Sequence, residues 1–121
     1  MPFQYILANL LARNEDAVGV LFLDEAGETI DLACSDFTPY EMRIVGAYLG
    51  IYLRQLGRFL AGVDLGSPRV VHIEKDAIHL HALPLPEGYF LVLVQRHPGL
   101  VGRARCSLFE AGEEMKRELQ L

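Results

Sequence analysis

Two stretches of this chain are apolar without interruption, and they constrain the fold more than any other feature. They are Ala17-Val18-Gly19-Val20-Leu21-Phe22-Leu23 and Tyr89-Phe90-Leu91-Val92-Leu93-Val94. A strand with one wet face alternates apolar and polar residues, so continuous runs imply strands covered on both faces. Such strands occupy the middle of a sheet with helices on each side. The remaining extended segments alternate and belong nearer the edges: Glu28 to Ala33, Arg69 to Glu74, and Ala77 to Leu83. Asp24-Glu25-Ala26-Gly27 is a turn that closes on glycine and joins the first run to the second strand. Lys75-Asp76 is the expected turn between the third and fourth strands, and Leu85-Pro86-Glu87-Gly88 leads into the fifth. Hairpins joining one to two, three to four and four to five, with one and five central, give the antiparallel order 2-1-5-4-3.

Three helical segments surround these strands. Phe3, Ile6, Leu7, Leu10 and Leu11 recur at helical spacing over residues 2–14, with Pro2 in the first turn. His97-Pro98-Gly99 ends the last strand, and Leu100, Ala104, Leu108, Ala111, Met115 and Leu119 form one stripe on a final amphipathic helix. Between them, Thr38-Pro39-Tyr40-Glu41 carries a cap, a first-turn proline and the acid of a capping box. The helix it starts runs to about Leu60 and spans about 33 Å. The whole reads as one α+β domain over 1–121, a three-layer α/β/α sandwich.

The middle helix is apolar twice over. Met42, Val45, Leu49, Leu53, Leu56 and Leu60 make an arc that docks on the sheet, while Ile44, Tyr48, Ile51, Tyr52 and Phe59 make a second arc. No charge occurs from Ile44 to Leu53. Gly46, Gly50 and Gly57 lie between the arcs, each costing roughly 0.8–1 kcal/mol relative to alanine, which close backbone approach would offset. The chain is 51% hydrophobic and 22% charged, so a monomer has little room to hide this second arc. Either a terminal helix wraps over it or a second copy covers it. The single stripes of both flanking helices favour the second copy. The edge strand agrees, because an exposed strand without proline or bulge invites pairing with another chain. The expected dimer surface is Ile44, Gly46, Ala47, Tyr48, Gly50, Ile51 and Tyr52 together with Val70, Val71, His72 and Ile73. Arg43, Arg54 and Arg58 fill the remaining face as a solvated stripe or a contact for an acidic partner.

Other classes are excluded. Disorder requires few apolar residues and a high net charge. A membrane-spanning helix needs about 20 apolar residues in a row, and the N-terminus lacks the basic region and cleavage site of a secretory signal. A net charge of −5 disfavours nucleic acid and anionic membranes. Cys34 and Cys106 form neither a disulfide framework nor a ligand pair, so a reducing cytoplasm is the expected location. No nucleophile–base pair and no phosphate loop is visible, so no enzymatic activity is expected. His72, His79 and His81 raise a metal question: a Lys75-Asp76 turn sets His72 opposite His79, with His81 on the same face and Glu74 near. The alternative is a set of hydrogen-bonded histidines under a helix or at a dimer seam. With no fourth ligand at diagnostic spacing, the expectation is no metal and no cofactor.

The chain resembles the Roadblock family, named after a dynein light chain and including bacterial and archaeal partners of small Ras-like GTPases. Three segments carry the resemblance. GVLFLDEAGETIDLA looks like the family's first hairpin, the helix from Pro39 to Leu60 like its central dimer helix, and EGYFLVLVQRHPGLVGRARCSLFEAGEEMKREL like its last strand and C-terminal helix. The resemblance implies a profilin-like fold and a dimer formed through the central helix and the third strand. It also implies a non-enzymatic homodimeric scaffold that binds a small Ras-like GTPase and modulates its GTP hydrolysis. A small-molecule or metal-sensing module on a profilin-like sheet is the alternative. The three strand histidines lie outside the patterns that carry the resemblance.

Overall fold

The computed structural model describes residues 2–120. Its elements are α1 (Pro2–Arg13), β1 (Ala17–Leu23), β2 (Thr29–Cys34), α2 (Pro39–Ala61), β3 (Val71–Glu74), β4 (Ile78–Pro84), β5 (Phe90–Arg96) and α3 (Val101–Leu119), with a short 3-10 turn at Pro86–Gly88. The strands form one sheet of order β2-β1-β5-β4-β3, every neighbouring pair antiparallel. The two uninterrupted apolar runs are central, as their patterning requires.

Alternate residues of the central strands feed two cores. Val20, Phe22, Leu91 and Leu93 pack with Ile6, Leu7 and Leu10 of α1 and Leu108 and Met115 of α3. Leu21, Leu23, Val92 and Val94 pack with Met42, Leu49 and Leu53 of α2 on the opposite face. Each fully buried side chain of this size contributes about 1.5–3 kcal/mol. A bulge between Ala17 and Gly19 turns Val18 into the α2 core as well. Arg13 ties α1 to α3 through Glu110 at 2.8 Å and Glu114 at 3.2 Å. Beside them the buried Asn14 donates from Nδ2 to Ser107 Oγ and Leu10 O.

Both terminal helices therefore sit on the same face. The other face has α2 alone, and α2 lies chiefly over β2 and β1, leaving no helix directly over the β4–β3 half, where Leu80 and Ala82 are buried but Val71, Ile73 and Ile78 only partly so. No helix among the described residues is long and apolar enough to cross a membrane.

Two details of the third strand differ from expectation. It begins at Val71, so Val70 precedes it. Continuing the register would set Arg69 against Pro84, which has no N–H to donate. The turn to β4 is also shifted: Lys75 N donates to Ile78 O at 2.8 Å, so Asp76 and Ala77 form the turn. His72 consequently pairs with His81 and Glu74 with His79. The slip is two residues, so every side chain keeps its face.

Candidate functional site

The outer face of α2 begins at its cap. Thr38 Oγ1 accepts from Glu41 N at 3.1 Å, and Glu41 Oε1 accepts from Thr38 N at 2.9 Å, so the capping box is complete. On the helix that follows, Met42, Leu49 and Leu53 are buried and Val45 and Leu56 half-buried. Leu60 lies near the end of α2 and is exposed. The second arc is uncovered: Ile44 is 40% exposed, Ile51 44%, Tyr52 60% and Tyr48 62%. Ala47 is exposed beside them. Neither terminal helix reaches this face, which removes the wrapping alternative.

Gly46 and Gly50 do not belong to that outer surface. They are buried inside this chain, correcting the expectation that their close approach is to a second copy. A Cβ on Gly46 would stand 3.1 Å from Leu23 Cδ2, and one on Gly50 would stand 2.6 Å from Gly27 Cα. Gly27, with φ 84°, closes the β1–β2 turn, where Asp24 Oδ1 accepts from both Ala26 N and Glu28 N. The helix thus crosses its own hairpin backbone to backbone, and the missing side chains permit this. Gly57 meets nothing within 4 Å.

Between α2 and the β4–β3 half of the sheet runs an apolar groove of about 570 Å³. Ile44, Tyr48 and Tyr52 line one wall, and Ile73, Ile78 and Leu80 the other. Its outer rim is the free edge of β3, where Val71 and Ile73 are half-buried and His72 is exposed. Val70, just before the strand, is half-buried. On the other flank of α2, Arg43 and Arg54 line a shallow depression with Gly27 and Thr29. Arg58 stands outside that depression. All three arginines are exposed, and among the described residues none has a carboxylate within ion-pair distance.

The histidines lie on the opposite face of the sheet, in line with Leu83 and the α1–α3 core. His79 and His81 are buried. His72 Nε2 and His79 Nδ1 are 2.9 Å apart, a diagonal contact across the shifted register. His81 Nε2 meets Gln95 Oε1 at 2.9 Å, and Gln95 Nε2 donates to Asp16 Oδ2 at 3.0 Å. His97, which in the sequence serves only as a strand breaker, joins them: its Nε2 is 2.9 Å from Glu74 Oε2, and its ring stacks on His79 at 4.6 Å. The available signal was the β4–β5 hairpin, which sets the end of β5 beside the start of β4, as Ile78 opposite Arg96 shows.

Desolvation, and next the neighbouring His79, hold the His72 pKa below the usual imidazole value, with Glu74 opposing and Arg105 assisting. Burial does the same to His81, partly offset by its hydrogen bond to Gln95, with His72, His79 and Arg105 adding to the depression. Glu74 is held below the usual carboxylate value, chiefly by its hydrogen bond from His97. Lowered imidazole values mean that the unfolded chain binds more protons than the folded one just below the ordinary histidine value. Stability is therefore full above about pH 6.5 and is lost as pH falls through the depressed values. Urea denaturation in EDTA should show a lower midpoint at pH 5.5 than at pH 7.5, with a shallower dependence in His81→Gln. A midpoint that is flat or rises on acidification would contradict this.

No family model matches the sequence, and no curated protein does. Solved structures match in fold. The Roadblock/LC7 domain from Streptomyces avermitilis superposes with a TM-score of 0.82 at 17% identity, covering 97% of this chain and 97% of that one. MglB from Myxococcus xanthus gives 0.87 at 13% identity, over 98% of this chain and 88% of the other. MglB in a tetrameric arrangement gives 0.84 at 15% identity, over 96% and 88%.

Proposed function

We propose that this chain, whose fold is that of Roadblock/LC7 domains, is a homodimeric platform that binds a small Ras-like GTPase and modulates its GTP hydrolysis without catalysing a reaction itself. The observation that carries the reading is the apolar outer face of α2 beside an uncovered half-sheet. A twofold-related copy fills that groove with its own α2, and the two free β3 edges pair into a continuous sheet. Such an interface is isologous, using one patch twice. It includes Ile44, Ala47, Tyr48, Ile51 and Tyr52 on the helix and Val70, Val71, His72 and Ile73 along the edge. A protein of similar fold, MglB, has been solved in a tetrameric arrangement, which supports the first half of the reading.

The GTPase half rests on the sequence resemblance to the Roadblock family and on the fold. Arg43, Arg54 and Arg58, free of ion pairs among the described residues, are the proposed contact for an acidic surface of that partner. A cytoplasmic setting suits the free thiols of Cys34 and Cys106. The test is a calorimetric titration with the Ras-like GTPase encoded nearest to this chain, loaded with GDP or with a non-hydrolysable GTP analogue. Saturable binding in at least one state is expected, weakened in an Arg43→Ala/Arg54→Ala variant. No binding in either state overturns the reading.

A further inference from the structure

All four histidines of this 121-residue chain gather at one end of the sheet, brought from three separate segments: β3, β4 and the turn after β5. We propose that they form a binding site for one late first-row divalent transition metal of the zinc class, with His72, His79, Glu74 and His97 as the ligands.

The distances fit a small ion. One ligand atom each from His72, Glu74 and His79 can be chosen so that all lie within 4.8 Å of one another, and His97 adjoins this trio through Glu74 rather than lying within that distance of all three. The two closest approaches are 2.9 Å, His72 Nε2 to His79 Nδ1 and Glu74 Oε2 to His97 Nε2. Tetrahedral zinc with bonds near 2.0–2.1 Å holds its donors about 3.3 Å apart. Convergence of His72, Glu74 and His79 on an ion therefore needs side-chain adjustment of roughly an ångström, and His97 follows by rotating with the Glu74 carboxylate it already meets. The residues that must adjust are the ones free to do so, since His72 and Glu74 are exposed on the edge strand. Two edge-strand donors two residues apart, one on the neighbouring strand and one on the adjoining turn make a chelate that the β-sheet itself preorganises.

The donor set selects the class of ion. Three imidazoles and one carboxylate suit zinc, nickel or copper, whereas magnesium and calcium prefer all-oxygen shells. Glu74 supplies the one negative charge of the donor set.

The surroundings are already ordered. Gln95 donates to Asp16, so its Oε1 must accept, and His81 must donate to it from Nε2. In the neutral ring this places the lone pair on His81 Nδ1, and that Nδ1 is buried with no hydrogen-bond partner among the described residues. Its ring stacks on His72 at 4.6 Å and 22°. A buried unsatisfied nitrogen costs free energy. The site lies on the α3 side of the sheet, so it leaves the α2 groove open; His72 is the one ligand it shares with the proposed β3 seam.

The test uses the untagged full chain, stripped with EDTA and dialysed, and titrated with zinc chloride by calorimetry and thermal melting. One ion per chain is expected, with a rise in melting temperature that scales with free zinc. Cobalt should give the intense visible absorption of a tetrahedral site. Because His72 and His97 are on the edge and the turn, His72→Asn and His97→Gln should fold normally by circular dichroism, yet each should weaken zinc tenfold or more. No saturable binding below roughly 100 µM, about 5.5 kcal/mol, overturns the proposal. So does an unchanged affinity in the double variant, or magnesium binding as tightly as zinc.

Discussion

Tyr48→Glu is expected to convert the chain from dimer to monomer. The wild type, of 13.5 kDa, should sediment at about 10 µM as a particle of twice that mass, a concentration well above the dissociation constants of interfaces of ordinary size. Tyr48 is 62% exposed in the single chain and stands on the wall of the apolar groove. A glutamate there disturbs nothing inside the protomer. In the dimer it is desolvated against an apolar surface, and a buried unpaired carboxylate costs several kcal/mol. A loss of that size moves the dissociation constant by two orders of magnitude or more. The far-UV circular dichroism should be unchanged. Tyr5→Glu is the control, because Tyr5 is 60% exposed on α1, across the sheet from the groove, and that variant should remain dimeric. A monomeric wild type, or a Tyr48→Glu variant that still dimerises, would refute the groove as the interface.

The second large effect separates two glycines of one helix. Gly50→Ala places a Cβ 2.6 Å from Gly27 Cα, and the obstacle is backbone in a left-handed turn rather than the end of a flexible side chain. Overpacking of a core typically costs 1–3 kcal/mol, and here α2 must lift from the hairpin, so a loss of about 3 kcal/mol is expected. Gly57→Ala meets open space, so it should gain up to about 1 kcal/mol from helix propensity alone. Both are best measured by chemical denaturation in the Tyr48→Glu background, where the dimer seam does not contribute. Opposite signs are expected. A stabilising Gly50→Ala would show that α2 does not cross its own β1–β2 turn in the way described.

This pair of glycines shows where local reading stops. Helical spacing put Gly46, Gly50 and Gly57 on one strip, and their shared composition supplied one explanation for all three. In the structure Gly46 and Gly50 face the hairpin while Gly57 faces solvent, because α2 runs past the sheet before it ends. The same strip therefore serves two purposes, and only the position of the β1–β2 turn separates them. The histidines repeat the lesson. A two-residue slip in the β3–β4 register leaves every side chain on the face that alternation assigns. The pattern could place His72, His79 and His81 on one face, but it could not decide which of them meet. His97 enters the cluster through the β4–β5 pairing and the turn beyond it, so only the expected hairpin, and not the alternation along any one strand, points to it.

What the sequence determined by itself is everything carried by short-range periodicity and cap chemistry. That includes the five strands, the two central ones, the order 2-1-5-4-3, the Thr38–Glu41 capping box and the double apolarity of α2. These follow because a strand or helix must bury its apolar face whatever its neighbours are. Tertiary structure alone decided the asymmetry of the layers. Placing α1 and α3 together on one face, with α2 displaced toward β2 on the other, opens the groove between Tyr48 and the β3 edge that the strand order already implied. Helix stripes state how much surface must be covered and leave open which side of a sheet will cover it. That choice belongs to the packing of the whole chain, and here it produces both the uncovered groove and the histidine cluster behind it.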